Sequence, residues 1–276
     1  MPPAGRIAKG VDVIEDGFSA DLIDTSKPHS ARMYDWFLGG KDHYPVDATA
    51  ARKVMELFPH IKGSAWANRE FMHRAARYLS EKGVAQFLDI GTGIPTPPNL
   101  HQVVQQITPG ARVVYTDNDP IVLRHAQALL RGTPEGHVAY LHADVREPEL
   151  ILAHAQKHLD FTQPVGLSLI AVMHFVTDEE GAHQIVRKLL DPLVPGSYLM
   201  FSHFVLEDPD LMQRLQDIYR AGGTSVQGRS IEGVTAFFQG LQLCDPGVVL
   251  AAQWHPDGRT PAREAPGLYV GVAQKV

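Results

Sequence analysis

Between residues 84 and 201, short apolar runs alternate with segments of helical periodicity, and this alternation leaves the chain few folds. The runs lie at about 85–90, 112–116, 138–141, 166–172 and 197–201. Helices are predicted between them at about 97–107, 121–130, 147–158 and 178–190. A strand buried on both faces reads as a continuous apolar run, and strand–helix–strand succession builds a parallel sheet covered by helices. Near the end, 248–254 and 268–273 read as strands joined only by the turn-rich Asp257-Gly258-Arg259-Thr260-Pro261. The expectation is an antiparallel hairpin closing an otherwise parallel, Rossmann-like sheet of seven strands, with a helical insertion at 208–243.

The first third of the chain differs. Met33, Tyr34, Phe37 and Leu38 recur at helix spacing until Gly39-Gly40 stops the run. Further helices are expected over 45–58 and 64–82, and residues 1–28 read as an extended arm packed at Val11, Val13, Ile14 and Phe18. The division that follows is an N-terminal arm and helical lid at 1–83 and a ligand-binding domain at 84–276, the α/β part of the chain.

Composition narrows the function. Of 276 residues, 44% are hydrophobic and 20% charged, the balance of a globular protein. The net charge of −6 disfavours nucleic acid and anionic membrane as partners, since both select basic surfaces. A single cysteine, Cys244, excludes a disulfide framework and fits a reducing, cytoplasmic setting. No run reaches the ~18–20 apolar residues of a membrane helix, and the opening MPPAGRIAKG lacks the pattern of a secretory signal. The composition says nothing of oligomeric state.

The chemistry concentrates at Phe87-Leu88-Asp89-Ile90-Gly91-Thr92-Gly93-Ile94-Pro95-Thr96, where a buried strand runs into a glycine pair. Thr96 is the expected N-cap of the next helix and Pro97 its first residue. Glycines there let the backbone approach a ligand, and a helix N-terminus offers free N–H groups. Asp117 ends the second strand a little over twenty residues later, the position from which an acid grips vicinal ribose hydroxyls. Both NAD and S-adenosylmethionine (SAM) carry such a ribose. Three features favour SAM: Thr96 in place of the third Gly or Ala of the dinucleotide pattern, a further acid (Asp144) after the third strand, and the terminal hairpin.

These residues resemble the class I SAM-dependent methyltransferases, over about residues 84–276. The glycine motif of that class matches Asp89, Gly91 and Gly93, its ribose acid Asp117 with Asn118, its adenine acid Asp144 with Val145, and its fourth-strand end Ala171-Val172-Met173-His174. Pro95 departs from the usual third glycine. The whole chain is also similar to an actinobacterial methyltransferase family first catalogued as a domain of unknown function, through 30–44, Asn68-Arg69-Glu70-Phe71 and 89–96. The resemblance implies SAM as cofactor and S-adenosylhomocysteine (SAH) as product. An NAD-dependent oxidoreductase and a noncatalytic SAM-binding regulator are the competing readings.

The segment from Tyr34 through Lys41 to Tyr44 loosely resembles the lid of small-molecule N-methyltransferases, so Tyr34, Lys41 and Tyr44 are expected near the acceptor. The cofactor carboxylate needs a cation or amide, for which Arg69 or Asn68 is the candidate. His174 sits where plant-type O-methyltransferases carry a histidine base, although Phe175 replaces the acid that follows it there. An ordinary imidazole suits that role, and packing in the pocket wall is the alternative. His203, ending the fifth strand, is a second candidate for acceptor contact. His154 and His158 stand one helical turn apart without the intervening Glu of a zinc-protease helix, so no metal is expected. The expected reaction is methyl transfer from SAM to the O or N of a small molecule.

Overall fold

The computed structural model describes residues 12–13, 24–129, 132–258 and 263–276. In chain order the elements are β1 (Asp12–Val13), α1 (Ser30–Leu38), α2 (Pro45–Leu57), α3 (Ile61–Glu81), β2 (Gln86–Ile90), α4 (Leu100–Gln105), β3 (Arg112–Asp117), α5 (Pro120–Leu129) and β4 (His137–His142). They continue with α6 (Pro148–Ala155), β5 (Gly166–Ile170), α7 (Ala182–Leu190), β6 (Tyr198–Phe204), α8 (Pro209–Arg220), α9 (Ile231–Thr235), β7 (Gln242–Leu243), β8 (Val249–Leu250) and β9 (Leu268–Gln274).

The sheet order is β1-β4-β3-β2-β5-β6-β9-β7, with β8 also on β9. Strands β1 to β6 are parallel to their neighbours, and β9 runs antiparallel to β6, β7 and β8. Successive residues of each inner strand serve opposite faces, as the two-residue period demands. Phe87, Val113 and Tyr115 pack with Phe71, Ala75 and Leu79 of α3. Leu88, Val114 and Leu167 pack with Ile151 of α6 and Val186 and Leu189 of α7. A third apolar cluster joins α1, α2, the start of α3, and α8.

The expected architecture is present, with nine strands among the described residues rather than seven. Three of them, β1, β7 and β8, are only two residues long. Part of the arm thus joins the sheet edge as β1, beside β4; Val11, Ile14 and Phe18 lie outside the described residues. The hairpin is also altered. After β8 the chain leaves the sheet in a 3-10 turn, Ala251–Gln253, because Arg74 on α3 donates to the carbonyls of Ala251 (2.6 Å) and Trp254 (2.8 Å). Trp254 is fully buried edge-on against Phe71 and Tyr78. The long antiparallel partner of β9 is therefore β6, paired from Tyr198↔Gln274 to Phe204↔Leu268.

The opening of α4 differs from the Thr96 expectation as well. A residue before proline is driven from helical geometry, and Thr96 and Pro97 both precede prolines, so the helix begins only at Leu100. The cap is Asn99, whose N–H is satisfied by Gln102 at 2.7 Å.

The helical N-terminal region is folded by its own motif. Asp35 accepts from the Asp42 N–H (3.0 Å) and pairs with His43 Nδ1 (2.8 Å). A Cβ at position 40 would overlap the Asp35 carboxylate, so only glycine fits there. Arg32 ties α1 to the segment after β3 through a buried two-pronged ion pair with Asp119, at 2.8 and 2.9 Å. His29 Nδ1 stands 3.2 Å from the same carboxylate. Arg32→Lys keeps the charge but loses the fork and the bond to the Asp24 carbonyl. We expect it to lower unfolding free energy by about 1–2 kcal/mol, read as a lower urea midpoint. An unchanged midpoint would mean that the pair adds nothing to the attachment of α1.

Candidate active site

The carboxyl ends of β4, β3, β2, β5 and β6 lie side by side in that order. The chain winds outward in both directions from β2 and β5, and open α/β sheets bind ligands at such a reversal. A cavity of about 700 Å³ lies over this edge, walled by the strand ends, α1, α3 and α8. That volume falls in the ~300–1,000 Å³ range of small-molecule sites.

After β2 the glycine loop turns over the neighbouring strand, with the N–H groups of Gly91 (2.8 Å) and Thr92 (3.2 Å) donating to the Thr116 carbonyl. Gly93 follows with φ +68°, its N–H donating to Asp117 Oδ2 at 2.7 Å. The other Asp117 oxygen accepts from the Asp119 N–H at 2.9 Å. Burial pushes the Asp117 carboxyl above its ordinary value, opposed by those two N–H groups. Asp89, beneath the loop, is pushed up to about 6 by burial, against the pull of the Ser168 hydroxyl and the Arg69 guanidinium.

At the end of β4, Asp144 accepts from Asn118 Nδ2 (2.8 Å) and the Arg146 N–H (2.9 Å). Burial pushes this carboxyl up, but Arg146 and Asn118 together hold it below the usual range. Arg146 also pairs with Glu180 at 2.9 Å. Arg146 and Glu180 both line the cavity, and sequence reasoning missed them; the only local signal was a cation two residues beyond Asp144.

Of the residues expected at the cofactor, Asn68, Arg69, Asp89, Gly91, Gly93, Asp117, Asn118, Asp144, Val145 and Ala171 all line this one cavity. Ala171 does so in a left-handed conformation, φ 56°, its N–H donating to Ser202 Oγ at 2.8 Å. That turn ends β5 earlier than expected and leads into a 3-10 turn, Met173–Phe175, which carries His174. Tyr34 also lines the cavity, its hydroxyl donating to the Ala65 carbonyl and accepting from Asn68 Nδ2, both at 3.0 Å.

Three acceptor-side expectations are corrected. Lys41 is exposed and off the cavity wall. Tyr44 sits at the start of α2 with the Arg32 guanidinium 5.4 Å from its ring centre, again off the wall. His203 is fully buried behind the wall, with Nδ1 at 2.6 Å from the Phe204 carbonyl and Nε2 at 2.6 Å from Arg229 Nη1. Arg229, from the insertion, also donates to the Met173 and Val176 carbonyls and to Asp178, so it pins the turn that bears His174.

His174 does line the cavity, but it is not an ordinary imidazole. Its Nδ1 is buried without a hydrogen-bond partner, and the ring packs against Phe175, Phe204 and His203 at centroid distances of 4.3, 4.9 and 5.5 Å. Burial, with His203 and Arg229 nearby, pushes its pKa well below the usual histidine range. The near-neutral titration expected of it is therefore absent. Among the described residues, no cluster of three or more His, Cys, Asp or Glu side chains has metal-binding geometry.

The cavity was tested against SAM by what its residues leave unmet. Arg69 donates to the Thr96 and Pro98 carbonyls, yet among the described residues it has no carboxylate partner and its Nε is buried without a bond. Asn68 Oδ1 is likewise buried and unpartnered. A buried cation lacking a counter-ion suits an amino-acid carboxylate. A Cβ built on Gly93 meets nothing within 4 Å, so this backbone borders open space into which a ligand fits. The residues fit the cofactor.

Comparison with known proteins shows the family. The family model described as S-adenosyl methyltransferase matches residues 16–276. The crystal structure of a DUF574 family protein from Streptomyces avermitilis is 45% identical, covers 92% of this chain and 99% of its own, and superposes with a TM-score of 0.86. A Thermobifida fusca protein carrying a provisional methyltransferase name is 38% identical, covers 91% and 96%, and superposes with a TM-score of 0.83. A search of curated proteins finds no match. The chain belongs to the S-adenosyl methyltransferase family and is a SAM-dependent methyltransferase, with S-adenosylmethionine as its methyl donor.

Proposed function

We propose that the methyl group passes to an oxygen or nitrogen of a small-molecule acceptor, in the cytoplasm, with residues 1–83 acting as the lid over 84–276. The observation that carries the cofactor placement is the buried Arg69 guanidinium without a carboxylate partner, beside the glycine loop and in the same cavity as Asp117. In this reading Arg69 and Asn68 hold the amino-acid end, Asp117 the ribose, and Asp144 with Asn118 the adenine. The enclosing α1, α3 and α8 favour a small acceptor, because a closed site excludes water and aligns the reacting pair. The net charge of −6 argues against a nucleic-acid acceptor, and the single cysteine, Cys244, fits the cytoplasmic setting.

SAM held by these residues would supply a methyl group activated on sulfonium sulfur, to be taken by the acceptor lone pair with SAH as the leaving group and any acceptor proton released to solvent. What the chain adds is alignment. His174, deprotonated well below neutral pH, is too weak a base to draw a proton effectively, and its ring shapes the wall beside the acceptor. A base of ordinary histidine pKa would make the rate climb with pH through about 6.5. With the pKa displaced downward, His174 stays neutral throughout, and the rate is expected to be flat across that region. His174→Asn should then cost less than about tenfold, because proximity is retained. A loss of about 10² or more, together with a limb near pH 6.5 that vanishes in the variant, would restore the base.

The proposal itself is tested by incubating the protein with methyl-labelled SAM and a bacterial metabolite extract. Label is expected in the low-mass fraction, and Asp117→Ala should abolish it. Label confined to protein or nucleic acid overturns the small-molecule reading.

A further inference from the structure

The cavity wall changes chemistry along the sheet edge. On the β4 and β3 side it carries Asp144, Asn118 and Asp117, and in the middle the glycine loop. On the β5 and β6 side it becomes aromatic: Phe175 follows β5, Phe204 ends β6, and Tyr219 reaches in from α8. Phe58, just after α2, faces the same space. All four rings pack against the apolar cluster that joins the lid to α8, yet each is only partly buried, so part of each faces the cavity. The Phe175 and Tyr219 rings lie 5.3 Å apart at 55°, and the Tyr219 hydroxyl has no hydrogen-bond partner among the described residues.

The charged groups of the wall are already engaged, among them Arg146, which donates to the Phe175 carbonyl at 2.6 Å. Asp144 and Glu180 share Arg146, Asp117 is held by two N–H groups, and Arg69 stands at the glycine loop. His60, at the rim, is exposed and 3.2 Å from Glu264. A charged group entering the aromatic end would lose its water and find there only the Arg146 cation, already neutralised by Asp144 and Glu180, which is unfavourable. A flat neutral ring would lose only apolar hydration and gain face and edge contacts.

We propose that the methyl acceptor is an uncharged aromatic molecule whose ring lies among Phe175, Phe204 and Tyr219, with its nucleophilic substituent turned toward the end of β5. This substrate class rests on the cofactor occupying the polar end. It excludes amino sugars, which are cationic, and carboxylated or phosphorylated acceptors.

The test is equilibrium dialysis of the full-length protein saturated with SAH against three probes: 2-naphthol, its charged counterpart 2-naphthoate, and the cationic sugar glucosamine. The expected result is 2-naphthol binding at least about tenfold tighter than either charged probe. Tyr219→Ala and Phe175→Leu should each weaken 2-naphthol by about fivefold. Both variants should keep the wild-type SAH affinity, which also reports that they are folded. Equal or tighter binding of a charged probe, 2-naphthol binding indifferent to both substitutions, or saturable binding of none of the three overturns the proposal. SAH affinity is measured separately by calorimetry. Failure of SAH to bind, with 2-naphthol still sensitive to Tyr219→Ala, would instead overturn the cofactor placement.

Discussion

Gly93→Val should abolish SAH binding while leaving the fold in place. Position 93 has φ +68°, and a Cβ there would point into open cavity with no atom within 4 Å. The added isopropyl group therefore meets no protein; it occupies the space a ligand needs. The backbone strain of a β-branched residue at positive φ costs about 1–3 kcal/mol, less than the ~5–15 kcal/mol that holds a typical domain together. Circular dichroism should be native, and calorimetry with SAH should show an affinity lower by about 10³ or more. Gly91→Ala is the contrasting case, because its Cβ would lie 2.7 Å from Val172 Cγ2, so that the neighbouring turn must move. It should lose stability as well as affinity. If Gly93→Val binds SAH like the wild type, the loop is a plain strand-to-helix turn and the cofactor lies elsewhere.

Asp117→Ala should lower SAH affinity by about 10²–10⁴, since each charge-assisted bond to a ribose hydroxyl is worth roughly 1.5–3 kcal/mol. Both Asp117 oxygens are already engaged, by the N–H groups of Gly93 and Asp119, so the side chain holds the loop in shape as well as facing the ligand. The alanine variant loses both roles. Asp117→Asn separates them: it keeps a carbonyl acceptor but neither the charge nor the second acceptor, and should lose about tenfold. Asp144→Ala should cost less than Asp117→Ala, because Arg146 and Asn118 already occupy much of its bonding capacity and its side chain is partly exposed. Affinity indifferent to Asp117→Ala, measured by calorimetry, would remove the ribose from this acid.

The downward displacement of the His174 pKa bears on how this enzyme works. Its ring packs among Phe175, Phe204 and His203, with Arg229 beyond, and burial together with His203 and Arg229 disfavours an imidazolium. A phenolic acceptor at the aromatic end would have to give its proton to water as the new bond forms. An aromatic nitrogen acceptor carries its lone pair at neutral pH and needs no such step. Alignment at the sheet edge is common to both.

Much of this was written locally in the chain. Inner strands must be apolar throughout because both their faces are covered, so the runs from 85 to 201 could be read as parallel strands. A functional acid or glycine at a strand's carboxyl end follows directly from the strand before it, which is why Asp89, Gly91, Gly93, Asp117 and Asp144 were all found and all line one cavity. Tertiary structure decided what depends on distant partners. Residues 251–254 read as strand but leave the sheet because Arg74, far earlier in the chain, takes two of their carbonyls. Arg32, a charged residue on α1, is buried because Asp119 on another element faces it. His203 ends a strand like the acids do, yet it turns behind the wall to meet Arg229 of the insertion. His174 keeps its place on the cavity but not its ordinary pKa, because a proton's affinity is set by the groups packed around it, and here those come from β6 and the insertion. Hydrophobic period and local turn chemistry are carried by neighbours in sequence, whereas charge pairing and desolvation are properties of neighbours in space.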